Sequence, residues 1–236
     1  MGRQKDSMPS PVIVALDFET QTEALVLVRQ VGPDSDHYKV GLQLLTEAGP
    51  EVVRSLIRQS KHVFLDLKLH EIPNSVAAGV HAAGKLGVSM VTVHASAGSA
   101  VLRAAVGAAA QFPNLKVLAL TVITSLSDQD LPEIGLAPSV QQQVQRLALL
   151  AASAGCQGVV ASVNEAAYLK SILPAGSLIV TPGIQLARSA ATDQSRISTP
   201  QAAAEAGVTH IVVGRAITSA KDPVSAFREA AECFRR

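Results

Sequence analysis

Runs of aliphatic and β-branched residues alternate along the chain with segments in which apolar residues recur every three or four positions. The runs predict β-strands, and the periodic segments predict amphipathic helices. The predicted strands are Val12–Phe18, His37–Leu42, His62–Leu69, Met90–Ser96, Lys116–Ile123, Gly158–Val163, Ser177–Ile184 and His210–Ile217. The predicted helices are Thr20–Val31, Leu42–Gln59, Asn74–Leu86, Ser99–Gln111, Val140–Ala154, Asn164–Ile172, Pro200–Ala206 and Pro223–Phe234.

This order of elements predicts an α/β fold. Strands that alternate strictly with helices are parallel and are joined by right-handed crossovers. Eight strand–helix units in 236 residues favour a closed (β/α)8 TIM barrel over an open doubly wound sheet. The first strand is not followed by the G-x-G-x-x-G pattern of dinucleotide-binding folds. We expect a single barrel domain over residues 11–236, preceded by a flexible tail of residues 1–10.

Charged residues interrupt the third predicted strand. The stretch VFLDLKLHEIPNSV begins as an apolar run at Val63 and then contains Asp66, Lys68 and Glu71. Side chains two positions apart on a strand point to the same face, so Asp66 and Lys68 should project together. Burying such groups is unfavourable unless they neutralise one another. The segment is either a strand end whose charges emerge into water or part of a charged functional site.

Polar residues lie at or near the C-terminal ends of all eight predicted strands, and in a TIM barrel these ends surround the active site. The residues in these positions are Asp17, Lys39, Asp66, Lys68, His94, Thr121, Thr124, Ser162, Thr181, Pro182, Gly183, Gly214 and Arg215. Scattered surface polarity would not coincide with one strand end after another. The pattern therefore favours a site in the mouth of the barrel.

The last two units predict a phosphate site. TPGI ends the seventh strand and VVGRAIT ends the eighth, where TIM barrels commonly bind phosphate. Gly183 and Gly214 would let backbone N–H groups approach an anion, and the guanidinium of Arg215 could pair with it. Gln194 could add an amide donor. It belongs to the second of two long loops, 124–139 and 185–198, which are candidate lids.

Composition narrows the class of protein. The net charge is +1 and the basic residues are scattered, which argues against a nucleic-acid or membrane-surface partner. Cys156 and Cys233 fit no metal-ligand or C-x-x-C spacing, and the six histidines form no metal-binding pattern. No apolar run could span a bilayer, and the N-terminus lacks the apolar segment of a signal peptide. These features predict a soluble cytoplasmic protein without a metal site.

Seven short motifs carry a resemblance to a known family. In chain order they are VALDF, KVG, LDLKLHEIPNS, TSL, TPGI, TDQ and VVGRAIT. They resemble the orotidine 5'-monophosphate decarboxylase family over nearly the whole chain, and the block with I-P-N is highly specific. The resemblance implies decarboxylation of orotidine 5'-monophosphate to uridine 5'-monophosphate, the last step of de novo pyrimidine biosynthesis. It also implies no metal or organic cofactor, and a homodimer with active sites at the subunit interface.

The resemblance further implies roles for individual residues. Lys68 would donate the proton, and Asp66, Lys39 and Glu71 would complete a charged network, with Glu71 reaching in from the partner subunit. The implied substrate-binding residues fall into four groups. Asp17 would bind the ribose, and Thr124 would lie near the pyrimidine. The pocket would be lined by Lys39, Asp66, Ile72, Pro73 and Ser75, and the residues toward the phosphate would be Pro182, Gln185, Gln194, Gly214 and Arg215.

Three positions depart from the family pattern. Glu71 stands where the family has Asp, Ser75 where it has Thr, and Gln185 where it commonly has Arg. Glutamate keeps the charge but adds a methylene, and a misplacement of about 1 Å can lower a rate on the order of a hundredfold. We expect an active enzyme whose efficiency depends on how Glu71 is accommodated.

Two alternatives remain open at the level of the sequence. One is a metal-dependent decarboxylase of a 3-keto sugar-acid phosphate, which belongs to the same barrel superfamily and shares a D-x-K-x-x-D core. The other is a catalytically silent barrel that binds a nucleotide phosphate. A barrel fold alone does not decide between these functions.

Overall fold

The computed structural model describes residues 10–137, 139–186 and 198–235. The strands are β1 Val12–Ala15, β2 His37–Gly41, β3 His62–Leu69, β4 Met90–His94, β5 Lys116–Leu120, β6 Gly158–Val160, β7 Leu178–Thr181 and β8 His210–Val213. The α-helices are α1 Gln21–Val31, α2 Leu42–Ala48, α3 Glu51–Arg58, α4 Pro73–Leu86, α5 Ser99–Ala109, α6 Val140–Ser153, α7 Val163–Ile172, α8 Pro200–Glu205, α9 Arg215–Thr218 and α10 Pro223–Arg235. Short 3-10 helices lie at Gly32–Asp34, Ala95–Ala97 and Leu131–Ile134.

The eight strands form a closed parallel barrel in chain order, with β8 paired to β1. This arrangement confirms the predicted (β/α)8 TIM barrel. Residues 1–9 of the predicted tail, which comprises residues 1–10, lie outside the described residues. Ser10, the last residue of the predicted tail, donates its backbone N–H to the Asp36 carboxylate at 2.9 Å.

The eighth strand is shorter than the sequence pattern predicted. We expected it to continue to Ile217, but it ends at Val213, and Arg215–Thr218 form the short helix α9. Gly214 makes the break between strand and helix, with φ −100° and ψ −112°. The apolar residues Ala216 and Ile217 extend the hydrophobic run beyond the strand, which is why the pattern overestimated its length.

The predicted helix over Leu42–Gln59 is two helices, so this prediction was wrong. Gly49 ends α2 in a backbone conformation with φ 64°, which favours glycine. Pro50 follows as the residue that precedes α3. Proline has no backbone N–H and cannot continue the hydrogen bonding of the preceding helix.

The core has two layers, one inside the barrel and one between the barrel and its helices. The interior cluster consists of Ile13, Ala15, Phe64, Met90, Leu118, Leu120, Val160, Val180 and Val212. The larger outer cluster packs the opposite faces of the same strands, including Val14 and Leu65, against the helices. Since side chains alternate along a strand, residues two positions beyond the interior cluster also face the barrel axis.

A capped helix fixes the loop that follows β1. The hydroxyl of Thr20 accepts the backbone N–H of Glu23, and the Glu23 carboxylate accepts the backbone N–H of Thr20. This reciprocal capping box satisfies two N–H groups at the start of α1. It also anchors the short connection that carries Asp17.

None of the helices in the described ranges has both the length and the apolar character needed to cross a bilayer.

Candidate active site

Four side chains form an array of alternating charge at the mouth of the barrel. Lys39 Nζ lies 2.9 Å from Asp17 Oδ1 and 3.8 Å from Asp66 Oδ2. Lys68 Nζ donates a hydrogen bond to the same Asp66 Oδ2 at 2.7 Å. Two carboxylates and two ammonium groups balance, and this neutralisation allows Asp66 to be only 8% exposed.

The array passes from the barrel interior to solvent. The side chains of Lys39 and Asp66 are each 12% exposed, whereas those of Lys68 and Asp17 are 34% and 52% exposed. Asp66 lies two residues after Phe64 of the interior cluster and therefore faces the barrel axis. The expected convergence of Asp66 and Lys68 is thus observed, inside the barrel mouth rather than toward the helices. A ligand entering from solvent could reach the Lys68 ammonium.

Gly41 leaves the space that the Asp17–Lys39 ion pair occupies. A Cβ atom at position 41 would lie 3.0 Å from Lys39 Nζ and 3.5 Å from Asp17 Oδ1. Any side chain there would press on the ammonium group. The glycine of the K-V-G motif is therefore part of what lets Lys39 contact two carboxylates.

The third strand departs from regular geometry where it carries the charges. Lys68 has φ 52°, in the left-handed region that non-glycine residues seldom adopt. Its backbone N–H donates to the hydroxyl of Thr92 on β4 at 2.8 Å, and this hydroxyl donates to Asp66 Oδ1 at 2.9 Å. Thr92 is fully buried. The hydroxyl thereby connects the backbone of one charged residue to the side chain of the other.

The segment after β3 is exposed in this chain. Glu71, Ile72, Pro73 and Ser75 are all solvent-exposed, and Ile72 has 62% of its surface accessible. Glu71 forms no hydrogen bond or ion pair with another described residue of the chain. It does not join the array of Asp17, Lys39, Asp66 and Lys68 within a single subunit.

Gly214, one of the predicted phosphate-binding residues, lies beside the charged array. A Cβ atom at Gly214 would lie 3.8 Å from Asp17 Oδ2, which places the β8–α9 junction next to the Asp17 carboxylate. Arg215 is the exposed first residue of α9. A short helix after the eighth strand is where TIM barrels commonly bind phosphate.

The loop after β7 is closed at its base. Gln185 donates its backbone N–H to the Ser198 carbonyl at 2.8 Å, and Ser198 donates to the Gly183 carbonyl at 3.0 Å. Gly183, which follows Pro182, has φ 76°, a conformation that favours glycine. Gln194, predicted to contact phosphate, lies outside the described residues.

Some of the polar residues at strand ends have structural partners. Thr121 donates its hydroxyl to the Val160 carbonyl at 2.9 Å. Ser162 caps α7 through hydrogen bonds of its backbone and hydroxyl to the Glu165 carboxylate. Thr124, predicted to lie near the pyrimidine, is 5% exposed. The strand-end pattern therefore combines residues of the barrel wall with residues of the site.

His94 lies at the edge of the site and stacks on His70, with ring centroids 5.1 Å apart. Burial lowers the pKa of His94 below its ordinary value, and the neighbouring His70 and Lys68 lower it further. A neutral imidazole next to Lys68 adds no positive charge to the array.

Within the described ranges, no group of three or more His, Cys, Asp or Glu side chains could hold a metal ion.

Comparison with known proteins decides the family. The model of the Orotidine 5'-phosphate decarboxylase / HUMPS family matches residues 10–230. The chain belongs to this family. The described part of the match includes the whole charged array and the β8–α9 junction.

Individual members of the family are similar over almost their full length. The orotidine 5'-phosphate decarboxylase of Idiomarina loihiensis is 48% identical over 219 residues, which cover 92% of this chain and 95% of that protein. The enzyme of the same name from Laribacter hongkongensis is 48% identical over 217 residues, covering 92% and 89%. The crystal structure of orotidine 5'-phosphate decarboxylase from Lactobacillus acidophilus superposes with a TM-score of 0.86 at 37% identity, covering 96% of this chain and 100% of that one.

Inspection of the sequence did not single out Thr92, although a signal was present. Met90 belongs to the interior cluster, so Thr92, two residues later on β4, also faces the barrel axis. A hydroxyl at an inward-facing position of a buried strand requires a hydrogen-bond partner. Its two partners became apparent only from the structure of the neighbouring strand.

Proposed function

We propose that this protein is a cofactor-independent carboxy-lyase that converts orotidine 5'-monophosphate to uridine 5'-monophosphate, the last step of de novo pyrimidine biosynthesis. The observation that carries the proposal is the contact of 2.7 Å between Lys68 Nζ and Asp66, within a neutral array at the barrel mouth. Membership of the family and the adjacent β8–α9 junction support it. The curated relatives bear the name of this enzyme.

Lys68 is the proposed proton donor. Cleavage of the bond between carbon 6 and the carboxylate releases carbon dioxide and leaves the electron pair on carbon 6. An ammonium group held beside that carbon stabilises the developing negative charge. It then transfers a proton from Nζ to carbon 6 to give the product, and Lys68 regains a proton from solvent.

Asp66 has two proposed roles. Its carboxylate accepts the Lys68 ammonium at 2.7 Å and so orients the proton donor. It also lies where it would face the carboxylate of the bound substrate. Repulsion between the two carboxylates is relieved as neutral carbon dioxide departs, which raises the ground state relative to the transition state.

The remaining residues bind and orient the substrate. Asp17 is proposed to bind the ribose, and Lys39 joins it to Asp66 through the two contacts already described. Gly214, Arg215 and Gln194 are proposed to hold the phosphate, with Pro182 and Gln185 nearby. Thr124 is proposed to lie near the pyrimidine. Binding energy from the phosphate, which is remote from carbon 6, would contribute to transition-state stabilisation.

A homodimer is proposed to complete the site. Leu42, Ile72 and Ile123 follow β2, β3 and β5, and they are 58%, 62% and 40% exposed in the single chain. Large apolar side chains grouped around the mouth are typical of an interface. Glu71 belongs to the same exposed edge, so its carboxylate would enter the partner's site. Ile72, Pro73 and Ser75 would line the pocket.

We also propose a cytoplasmic location. Cys156 and Cys233 form no disulfide, as is usual for proteins of reducing compartments. Cys156 packs against the core, and burial raises the pKa of its thiol to about 12, which disfavours the reactive thiolate.

A direct assay tests the activity. Purified protein is mixed with orotidine 5'-monophosphate, and the fall in its absorbance is followed together with the appearance of uridine 5'-monophosphate by chromatography. We expect stoichiometric conversion in the presence of EDTA, with no increase on addition of Mg²⁺. Substrate that stays intact under both conditions would refute the proposal and leave the catalytically silent nucleotide-binding barrel. Turnover only of a 3-keto sugar-acid phosphate with Mg²⁺ would identify the metal-dependent alternative.

A further inference from the structure

The backbone of β3 is irregular between its two charged residues. Leu65 pairs with Val91 of β4 and Leu69 pairs with Val93, so β3 advances four residues while β4 advances two. The extra residues include Asp66 and Lys68. Thr92 lies between Val91 and Val93 and therefore opposite this bulge. Bulges in sheets commonly redirect a side chain near an active site.

The bulge places Lys68 in an unfavourable backbone conformation. A non-glycine residue at positive φ is strained, and such residues persist only when their surroundings hold them. Lys68 cannot use a regular ladder hydrogen bond here because the register is broken. Its N–H instead donates to the Thr92 hydroxyl at 2.8 Å.

The same hydroxyl fixes the orientation of Asp66. It donates to Asp66 Oδ1 at 2.9 Å, which leaves Oδ2 directed toward Lys68 Nζ at 2.7 Å and Lys39 Nζ at 3.8 Å. A hydroxyl group can donate one hydrogen bond and accept another, so the Thr92 hydroxyl can donate to Asp66 and accept the Lys68 N–H at the same time. Thr92 is fully buried, so its hydroxyl finds both of these partners within the protein and not in bulk solvent.

We infer that Thr92 is a positioning residue for the reaction. It acts through Lys68 and Asp66 and does not contact substrate: one hydroxyl holds the strained backbone of the proton donor and the carboxylate that orients it. Without this hydroxyl the Lys68 ammonium loses its fixed position relative to carbon 6, while the residues proposed for ribose and phosphate binding are unchanged. The kinetic form of the inference rests on the proposed decarboxylation.

Four variants test the inference. Thr92→Val keeps the shape of the side chain and removes both hydrogen bonds, and Thr92→Ser restores the hydroxyl. Thr209→Val is the matched control, because the Thr209 hydroxyl also bridges two groups, the N–H and carbonyl of Ile179, both at 2.9 Å. Thr209 precedes β8, at the opposite end of the barrel from the site. Thr92→Ala replaces Thr92→Val if the latter does not fold.

We expect kcat of Thr92→Val to fall on the order of tenfold to a hundredfold, since small misplacements of catalytic groups have effects of this size. The KM for orotidine 5'-monophosphate and the calorimetric Kd for uridine 5'-monophosphate should change less than about threefold. Thr92→Ser should recover most of kcat, and Thr209→Val should retain it despite a lower stability. A wild-type kcat in Thr92→Val, or a kcat in Thr92→Ser as low as in Thr92→Val, would overturn the inference.

Crystal structures of wild type and Thr92→Val supply a readout that does not require turnover. We expect the variant to show a changed φ at Lys68 or a rotated Asp66 carboxylate. Unchanged positions of both would overturn the inference even if kcat fell. If wild type does not decarboxylate orotidine 5'-monophosphate, the proposed function fails, and these structures still decide whether Thr92 positions the pair.

Discussion

The imidazole rings of His37 and His210 meet edge to face at the N-terminal end of the barrel, with centroids 6.0 Å apart and planes at 84°. They are the first residues of β2 and β8. His62, at the start of β3, approaches His37 at the same centroid distance. The three rings form a histidine layer across the end of the barrel opposite the site.

This histidine layer should make the protein sensitive to acid. Burial lowers the pKa of His37 and of His210 to about 4. The neighbouring His210 lowers the pKa of His37 further, and Lys116 does the same for His210. The carbonyl of Ser10, which faces His37 Nδ1, and the carboxylate of Asp36 oppose the shift at His37 without reversing it. Both rings are therefore neutral in the folded protein at pH 7.

The sign of the pH dependence follows from these shifts. The unfolded chain has histidine pKa values near 6.5, so between about pH 6.5 and pH 4 it binds more protons than the folded protein. The free energy of unfolding should fall as pH decreases through this range, by on the order of 2–3 kcal/mol for each of the two histidines. Urea denaturation at a series of pH values measures the slope.

Replacing the histidines identifies the source of this slope. The double variant His37→Gln and His210→Gln should show a flatter dependence of unfolding free energy on pH, whatever its stability at pH 7. His81→Gln on α4, where His81 packs on Phe112, is the control and should keep the wild-type slope. An equal slope in the double variant and wild type would contradict this account of acid sensitivity.

Removing the proposed proton donor should abolish turnover and preserve binding. Lys68→Ala eliminates the group that protonates carbon 6, and general acid catalysis together with charge stabilisation accounts for several orders of magnitude in rate. We expect kcat to fall more than about a thousandfold, while uridine 5'-monophosphate still binds in calorimetry. Near-normal turnover would remove Lys68 from the mechanism. Lys85→Ala, in the last turn of α4, is the control and should retain full activity.

Arg215→Ala should weaken substrate binding and lower the rate together. Loss of a charge-assisted hydrogen bond to the phosphate should lower kcat/KM by about tenfold to a hundredfold. The exposed Arg103 on α5 provides a control, and Arg103→Ala should leave both parameters unchanged.

Substrate without phosphate separates a specific contact from a general defect. Against the nucleoside orotidine, Arg215→Ala and wild type should have the same low activity, because neither can use the missing group. If the variant is impaired equally toward the nucleotide and the nucleoside, Arg215 does not act through the phosphate.

Mixing two inactive variants tests whether Glu71 enters the partner's site. Lys68→Ala and Glu71→Ala are each expected to be impaired, but a hybrid dimer contains one site with Lys68 from one subunit and Glu71 from the other. After subunit exchange at equal concentrations, about a quarter of all sites should be intact. The assay is recovery of orotidine 5'-monophosphate turnover on mixing, with each variant mixed with itself as the control. No recovery, with exchange verified by mass spectrometry of differently labelled subunits, would place Glu71 outside the partner's site.

A pair of glycine substitutions tests the packing of the barrel wall. A Cβ atom at Gly158, the first residue of β6, would lie 2.4 Å from the backbone carbonyl oxygen of Leu178. Because that oxygen belongs to a neighbouring strand, Gly158→Ala should destabilise the fold by about 3 kcal/mol or more. Gly107, within α5, is exposed and has no atom within 4 Å of such a Cβ.

Gly107→Ala should stabilise the protein by about 0.5–1 kcal/mol, since glycine disfavours the helix interior. Urea denaturation measures both changes. Equal stabilities of the two variants would mean that the strand spacing at β6 and β7 relaxes to accept a methyl group.

The sequence by itself determined the barrel and the identity of its charged residues. Hydrophobic periods of two and of three to four residues depend only on local geometry, so they predicted the eight strand–helix units. They were least reliable at the ends of elements. The apolar residues after Gly214 looked like strand although they fold into α9, and the periodic run through Gly49 looked like one helix although it is two.

Only the tertiary structure decided how those charges meet. Simple alternation along β3 predicted that Asp66 and Lys68 face the same side, and they do, but through a bulge and a residue at φ 52° that no local pattern indicates. The hydroxyl that holds this bulge comes from Thr92, 24 residues beyond Lys68. Which hydrogen bonds form between β3 and β4 depends on the register of the two strands. That register is set by the packing of the whole barrel rather than by either strand alone.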